Sequence, residues 1–143
     1  MSPVIDVQGV HRHYTGSPPV EALVDVDLTI DRGEMVAVTG PSGSGKSTLL
    51  NIMGTLDRPT IGTVLVDGVD TSTLSDRKLS GLRSARIGFV FQSFHLLGPL
   101  TATDNVATGL LYRGAGGGER RRQARAALRR VGLGHRLDAT PRQ

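Results

Sequence analysis

The sequence predicts an α/β fold, and three observations carry that expectation. Short β-like runs divided by turn signals fill the first part of the chain. A more continuous apolar run, Met35-Val36-Ala37-Val38, enters a glycine-rich loop that is followed by the helix-forming run LLNIM. The last third is mostly helical in pattern. Strands followed by helices, with one strand apolar on both faces and entering a glycine loop, argue for this class.

Each element follows from its own residues. VIDVQGV (4–10) and ALVDVDLTI (22–30) alternate apolar and polar positions, as half-buried antiparallel strands do. GSPP (16–19) separates them, and DRG (31–33) turns the second into EMVAVTG (34–40), the run read as the covered strand. A helix is expected from about Lys46 to Gly54, then a loop at RPTIG (58–62) and a further strand at TVLVDG (63–68). LSDRKLSGLRSAR (74–86) reads as a helix with Ser75 or Asp76 at its N-cap. IGFVFQ (87–92) reads as another short strand. LTATDNVATGLLYR (100–113) reads as a helix capped by Thr101 or Thr103. GAGGG (114–118) breaks the chain before a last helix, GERRRQARAALRRVGL.

The composition narrows the class. A length of 143 residues suits one domain, and 38% hydrophobic residues can support a core. Aromatics make up only 3%, so packing must rest on Val, Leu, Ile and Ala. No cysteine is present, which excludes disulfides and thiolate metal sites. The start, MSPVIDVQGV, has no signal-peptide pattern, and no run reaches the ~18 apolar residues of a membrane span. A cytoplasmic protein is the expectation. The net charge is +4, with arginines gathered in ERRRQARAALRR (119–130). Ala126, Ala127, Leu128 and Val131 give that segment an apolar side, so it reads as a solvated helix face, and no nucleic-acid partner is expected. His11, His13, His95 and His135 are scattered without metal-ligand spacing. Asp67 and Asp70 flank Gly68 in what reads as a turn.

The loop GPSGSGKSTLL (40–50) needs more than a turn. It holds one of the chain's two lysines at a fixed offset from three glycines. Gly40-Pro41-Ser42-Gly43-Ser44-Gly45-Lys46-Ser47 fits the phosphate-loop pattern G-x-x-x-x-G-K-[ST]. Glycines let the backbone turn its N–H groups around a polyanion, and the next helix directs its positive end at the same place. Lysine adds a charge toward the β- and γ-phosphates, and the serine hydroxyl suits Mg²⁺. Strand, loop and helix in this order are the context that confirms the motif. Nucleotide binding is therefore expected.

Around the loop, the sequence resembles the ATP-binding subunits of ABC transporters over nearly all of its length. LDRPTIGTV and IGFVFQ–LL–LT–NV are especially similar to the lipoprotein-releasing and macrolide-exporting branch. The resemblance implies a P-loop NTPase core with a parallel sheet, an antiparallel β subdomain before it, and the start of a helical subdomain after it. It divides the chain at about 1–92 and 93–143. It implies ATP and Mg²⁺ as ligands, with Tyr14 stacking on adenine. Gly40 through Ser47 and Thr48 would hold the phosphates, Lys46 would act in catalysis, and Ser47 would ligate the metal. Gln92 takes the place of the glutamine that touches Mg²⁺ and the attacking water. Membrane permease subunits, docked near Gln92, and a second ATP-binding subunit are the implied partners, at the inner face of the membrane.

TPRQ (140–143) matches the residues that precede the family's signature, and no apolar run ending in Asp-Glu occurs in the sequence. The first reading is part of a transporter ATPase; the alternative is a truncated, non-catalytic nucleotide-binding or regulatory fragment. In either case the 143 residues are expected to show no ATP turnover alone. Runs 34–40 and 87–92 would also miss sheet neighbours, leaving Val36, Val38, Phe89 and Phe91 uncovered and the chain prone to aggregate.

Overall fold

The computed structural model describes residues 2–142, the side chain of Tyr112 apart. Gln143, the last residue of TPRQ, lies outside the described residues. The chain divides into two compact units, one up to Leu79 and one from Ser80 onward.

The first unit is built on a four-stranded antiparallel sheet in the order β2-β1-β3-β4. These are β1 (Ile5–Tyr14), β2 (Val20–Ile30), β3 (Ile61–Val66) and β4 (Val69–Asp70). Helix α1 (Lys46–Met53) presents Leu49, Ile52 and Met53 at i, i+3 and i+4. Its Ile52 and Met53 join Val7, Val10, Leu23 and Val64 in the core, with Leu49 packed against them. The unit ends within α2 (Asp76–Arg86), whose Leu79 is buried. Asp67 and Gly68 have φ of 52° and 78°, the left-handed pair of a two-residue hairpin between β3 and β4.

Strand β1 does not alternate cleanly. Val7 and Val10 are three apart, yet both are buried in one cluster. The register of β1 shifts between Val7 and Val10 against β2, and between Gln8 and His11 against β3. Gly9, at φ 53°, sits in this bulge, and its N–H donates to Asp27 Oδ1 at 2.7 Å. Gly62 of β3 approaches so closely that a Cβ there would lie 2.4 Å from the Gly9 carbonyl oxygen. One extra residue reverses the parity of the strand. Beyond the bulge, Val10 packs with Ile52 and Met53 of α1, and Arg12 and Tyr14 both bond Asp57 just past that helix.

In the second unit, α3 (Ala102–Thr108) packs on α4 (Gly117–Arg130) through the buried residues Thr103, Ala107, Ala124 and Leu128. The Asp104 N–H donates to Thr101 Oγ1 at 3.2 Å, which settles the cap of α3 on Thr101. Thr103 instead donates its hydroxyl to the Leu137 carbonyl at 2.7 Å, tying the following segment to α3. On α4, Arg121 pairs with Asp104 at 3.2 Å and Arg125 with Asp138 at 2.9 Å. The apolar side of α4 is narrower than its sequence implied. Ala124 and Leu128, one turn apart, are buried, while Ala126, Ala127 and Val131 are exposed.

Two runs depart from the expected strands. Residues 34–40 and 87–92 form no ladder among the described residues. Met35 and Val90 are fully exposed, and Val36 and Phe91 nearly half so. An extended apolar run becomes a strand only when a neighbour accepts its backbone hydrogen bonds. Within the second unit, Phe89 and Phe91 stack on each other at 5.1 Å, and His95 meets Phe91 edge-on.

Candidate functional site

The phosphate loop lies in the first unit, between the irregular run 34–40 and α1. Gly45 occupies the N-cap of α1 at φ 88°, with no side chain capping the helix and no acidic residue in its first turn. The first backbone bond here runs from the Leu49 N–H to the Gly45 carbonyl at 2.9 Å. The N–H groups of the preceding turn therefore have no intrahelical acceptor, and the helix dipole makes this end electropositive. Gly45 is required for a second reason. A Cβ there would stand 2.3 Å from the Ala22 carbonyl oxygen of β2.

Lys46 folds over this loop. Its Nζ donates to the carbonyls of Gly40 at 2.9 Å and Pro41 at 2.6 Å, and lies 3.4 Å from Ser44 Oγ. No carboxylate is among these partners, so the ammonium charge is left uncompensated by an anion. Ser47 is exposed in the first helical turn. Its hydroxyl has no hydrogen-bond partner among the described residues, and a free hydroxyl oxygen is a donor type that suits Mg²⁺.

A cleft of about 590 Å³ opens here, lined by Ser42, Gly43, Gly45, Lys46, Ser47 and Thr48 of the loop and helix. Tyr14, Val20 and Ala22 of the sheet line it as well. The sequence-named residues Tyr14 and Lys46 are thus brought to one cavity, although 32 positions apart in the chain. Tyr14 is 38% exposed, with its hydroxyl donating to Asp57 Oδ2 at 2.8 Å. Gln92 belongs to the second unit, where it is an exposed residue in a bend.

Sequence reasoning missed Arg12 and Asp57. Arg12 donates Nε to Asp57 Oδ2 and Nη2 to Asp57 Oδ1, both at 2.9 Å, while its guanidinium carbon stands 4.4 Å from the Tyr14 ring centroid. Burial pushes the Asp57 carboxyl up, but the Tyr14 hydroxyl, the Arg58 N–H and the Arg12 guanidinium outweigh it, and the group ends below its ordinary value. Burial likewise pulls Arg12 down, and contact with Tyr14 and Asp57 outweighs it, leaving the guanidinium more firmly protonated. The only sequence hint was an Arg spaced two residues before the Tyr on one strand.

An electropositive glycine loop, a lysine without a carboxylate partner and a tyrosine share one open cleft, an arrangement with the chemistry to accept a polyanion attached to a planar group. Comparison with known proteins gives the family. Residues 23–143 match the family model described as ABC transporter. The macrolide export ATP-binding/permease protein MacB 1 of Aeromonas hydrophila is 51% identical over 99% of this chain and 22% of its own length. An ABC transporter ATP-binding protein of Thermotoga maritima is 48% identical over the whole chain and 62% of its own length. Among solved structures, the ATP-binding cassette MJ0796, a dimer bound to ADP and Pi, superposes with a TM-score of 0.86 at 43% identity. That match covers 97% of this chain and 62% of the cassette. The chain thus spans about a fifth of the macrolide exporter and about three fifths of the other two. With the phosphate loop, the fold and these likenesses in agreement, the chain belongs to the ABC transporter family.

Proposed function

We propose that this chain binds MgATP as the nucleotide-holding part of an ABC transporter's ATP-binding component, which powers export or substrate extraction through membrane permease subunits. The observation that carries this reading is the single cleft that Lys46 and Tyr14 both line. Triphosphate oxygens would replace the Gly40 and Pro41 carbonyls as partners of the Lys46 ammonium. The N–H groups at the start of α1 would donate to the same oxygens, and Tyr14 would stack on the base. Ser47 is the residue to hold Mg²⁺, which would neutralise the phosphates and polarise the bond to be broken.

Gln92 is read as the residue that orients water and contacts the metal, with permease docking nearby. The names of the relatives, an ATP-binding/permease protein and a dimeric cassette, support a permease partner and a paired arrangement of ATP-binding units. No helix among the described residues is long and apolar enough to cross a membrane, which suits a peripheral position at the inner face. No apolar run closing on Asp-Glu occurs in the 143 residues, so this chain alone is read as holding nucleotide without turning it over.

Titration of a fluorescent ATP analogue tests the assignment. Lys46→Ala removes a charge from an open loop and no packing from the core. It should weaken binding by about tenfold or more while leaving the thermal transition in place. Equal affinity in the variant and the parent would overturn the reading.

A further inference from the structure

Tyr14 is held from two sides. Its hydroxyl donates to Asp57, and the Arg12 guanidinium lies over its ring, while Arg12 and Asp57 bond to each other through both carboxylate oxygens. Each of the three side chains therefore touches the other two. The side chains of Arg12 and Asp57 are 23% and 25% exposed, so the pair is partly shielded from water. Neither lines the cleft, whereas Tyr14 does. With one ring face under the guanidinium, a planar ligand can reach only the other.

Asp57 is also tied to the helix that follows the phosphate loop. It lies just past α1, and its N–H and that of Leu56 both donate to the Asn51 carbonyl of that helix, at 3.2 and 2.8 Å. The N-terminus of the same helix carries Lys46 and Ser47. One carboxylate thus fastens the aromatic end of the cleft, on β1, to the helix that presents the phosphate loop. A free tyrosine side chain samples several rotamers; this one is held by two contacts, one at its hydroxyl and one over its ring.

We propose that Arg12 and Asp57 are positioning residues for the nucleotide base: they lock Tyr14 so that the cleft recognises a nucleoside triphosphate by the span between an aromatic platform and the phosphate loop. This rests on the assignment of the cleft to ATP. Pre-ordering the platform removes an entropy cost that ligand binding would otherwise carry. The benefit reaches only ligands that have a base. Inorganic tripolyphosphate engages the loop alone and gains nothing from it.

The test compares ATP with inorganic tripolyphosphate on the 143-residue chain and on Tyr14→Ala, Tyr14→Phe, Arg12→Ala and Asp57→Asn, by isothermal titration. Tyr14→Ala is expected to weaken ATP by about tenfold and leave tripolyphosphate unchanged. Arg12→Ala and Asp57→Asn should each lose a large part of that factor for ATP and none for tripolyphosphate. Tyr14→Phe, which keeps the ring and drops the hydroxyl, should fall between. Adding Asp57→Asn to Tyr14→Ala should cost nothing further, because the platform it positions is gone. Parallel losses for both ligands in Arg12→Ala and Asp57→Asn would mean a general structural role and overturn the proposal. Full ATP affinity in those two variants, with Tyr14→Ala still weak, would overturn the positioning role and keep the platform. Full ATP affinity in Tyr14→Ala would overturn the base assignment beneath it. If Asp57→Asn fails to fold, Arg12→Ala and Tyr14→Phe decide the matter.

Discussion

At the residue scale, the Arg12–Tyr14–Asp57 group should leave a mark on acid stability. The folded Asp57 carboxyl titrates below its ordinary value of 3.8. A carboxyl lowered by folding stabilises the fold fully above that value, and the contribution is lost as pH falls through the folded value. Arg12 is raised above its ordinary value, so its share stays constant across the acid range. Half-shielded and doubly bonded, the pair should contribute about 1 kcal/mol, above the median for exposed pairs. Urea unfolding of the parent and Asp57→Asn at neutral pH should therefore differ by that amount, with the gap closing below pH 3.8. A gap that persists to about pH 2 would mean that the Asp57 charge is not its source.

At the element scale, the bulge in β1 decides what the strand presents. Without it Arg12 and Tyr14 would stand on the face away from α1, because a single-residue shift turns every side chain over. At the bulge Gly62 passes close to Gly9 of β1, and Gly62 has φ 91°. Gly68 also has a positive φ, 78°, but a Cβ there would meet open space. Gly68→Ala should cost about 1–2 kcal/mol for the left-handed backbone alone. Gly62→Ala adds a clash with backbone carbonyls and should cost about 3 kcal/mol or more. Denaturant unfolding separates the two. Equal losses would show that the strands part easily at Gly62 and that the bulge is soft.

At the scale of the whole chain, the apolar side chains of runs 34–40 and 87–92 matter most. Met35 is 98% exposed, and Phe94, just beyond the second run, is 86% exposed. Side chains this open contribute little to the stability of either unit, yet they offer a surface for association. Met35→Ser and Phe94→Ser should each change stability by no more than about 0.5 kcal/mol while lowering binding of a hydrophobic dye. A large fall in melting temperature would show that these side chains are packed in solution.

The phosphate loop was legible because its chemistry is local. Glycines, lysine and serine at fixed offsets define a backbone cradle and a charge wherever strand, loop and helix follow one another. The α/β class, the helix at Lys46 and a threonine cap on α3, at Thr101 or Thr103, were legible for the same reason, since each depends on residues a few positions apart. The two runs read as strands were not, because a strand needs a partner that its own residues do not supply. Nor was the narrow apolar side of α4, which Ala124 and Leu128 decide through their contact with α3. The sequence by itself determined the glycine loop and the offsets of its lysine and serine. Only the tertiary structure decided which face of β1 meets α1, and hence that an aspartate 43 positions from Tyr14 holds its hydroxyl, because strand parity and long-range ion pairs exist only once the chain has closed on itself.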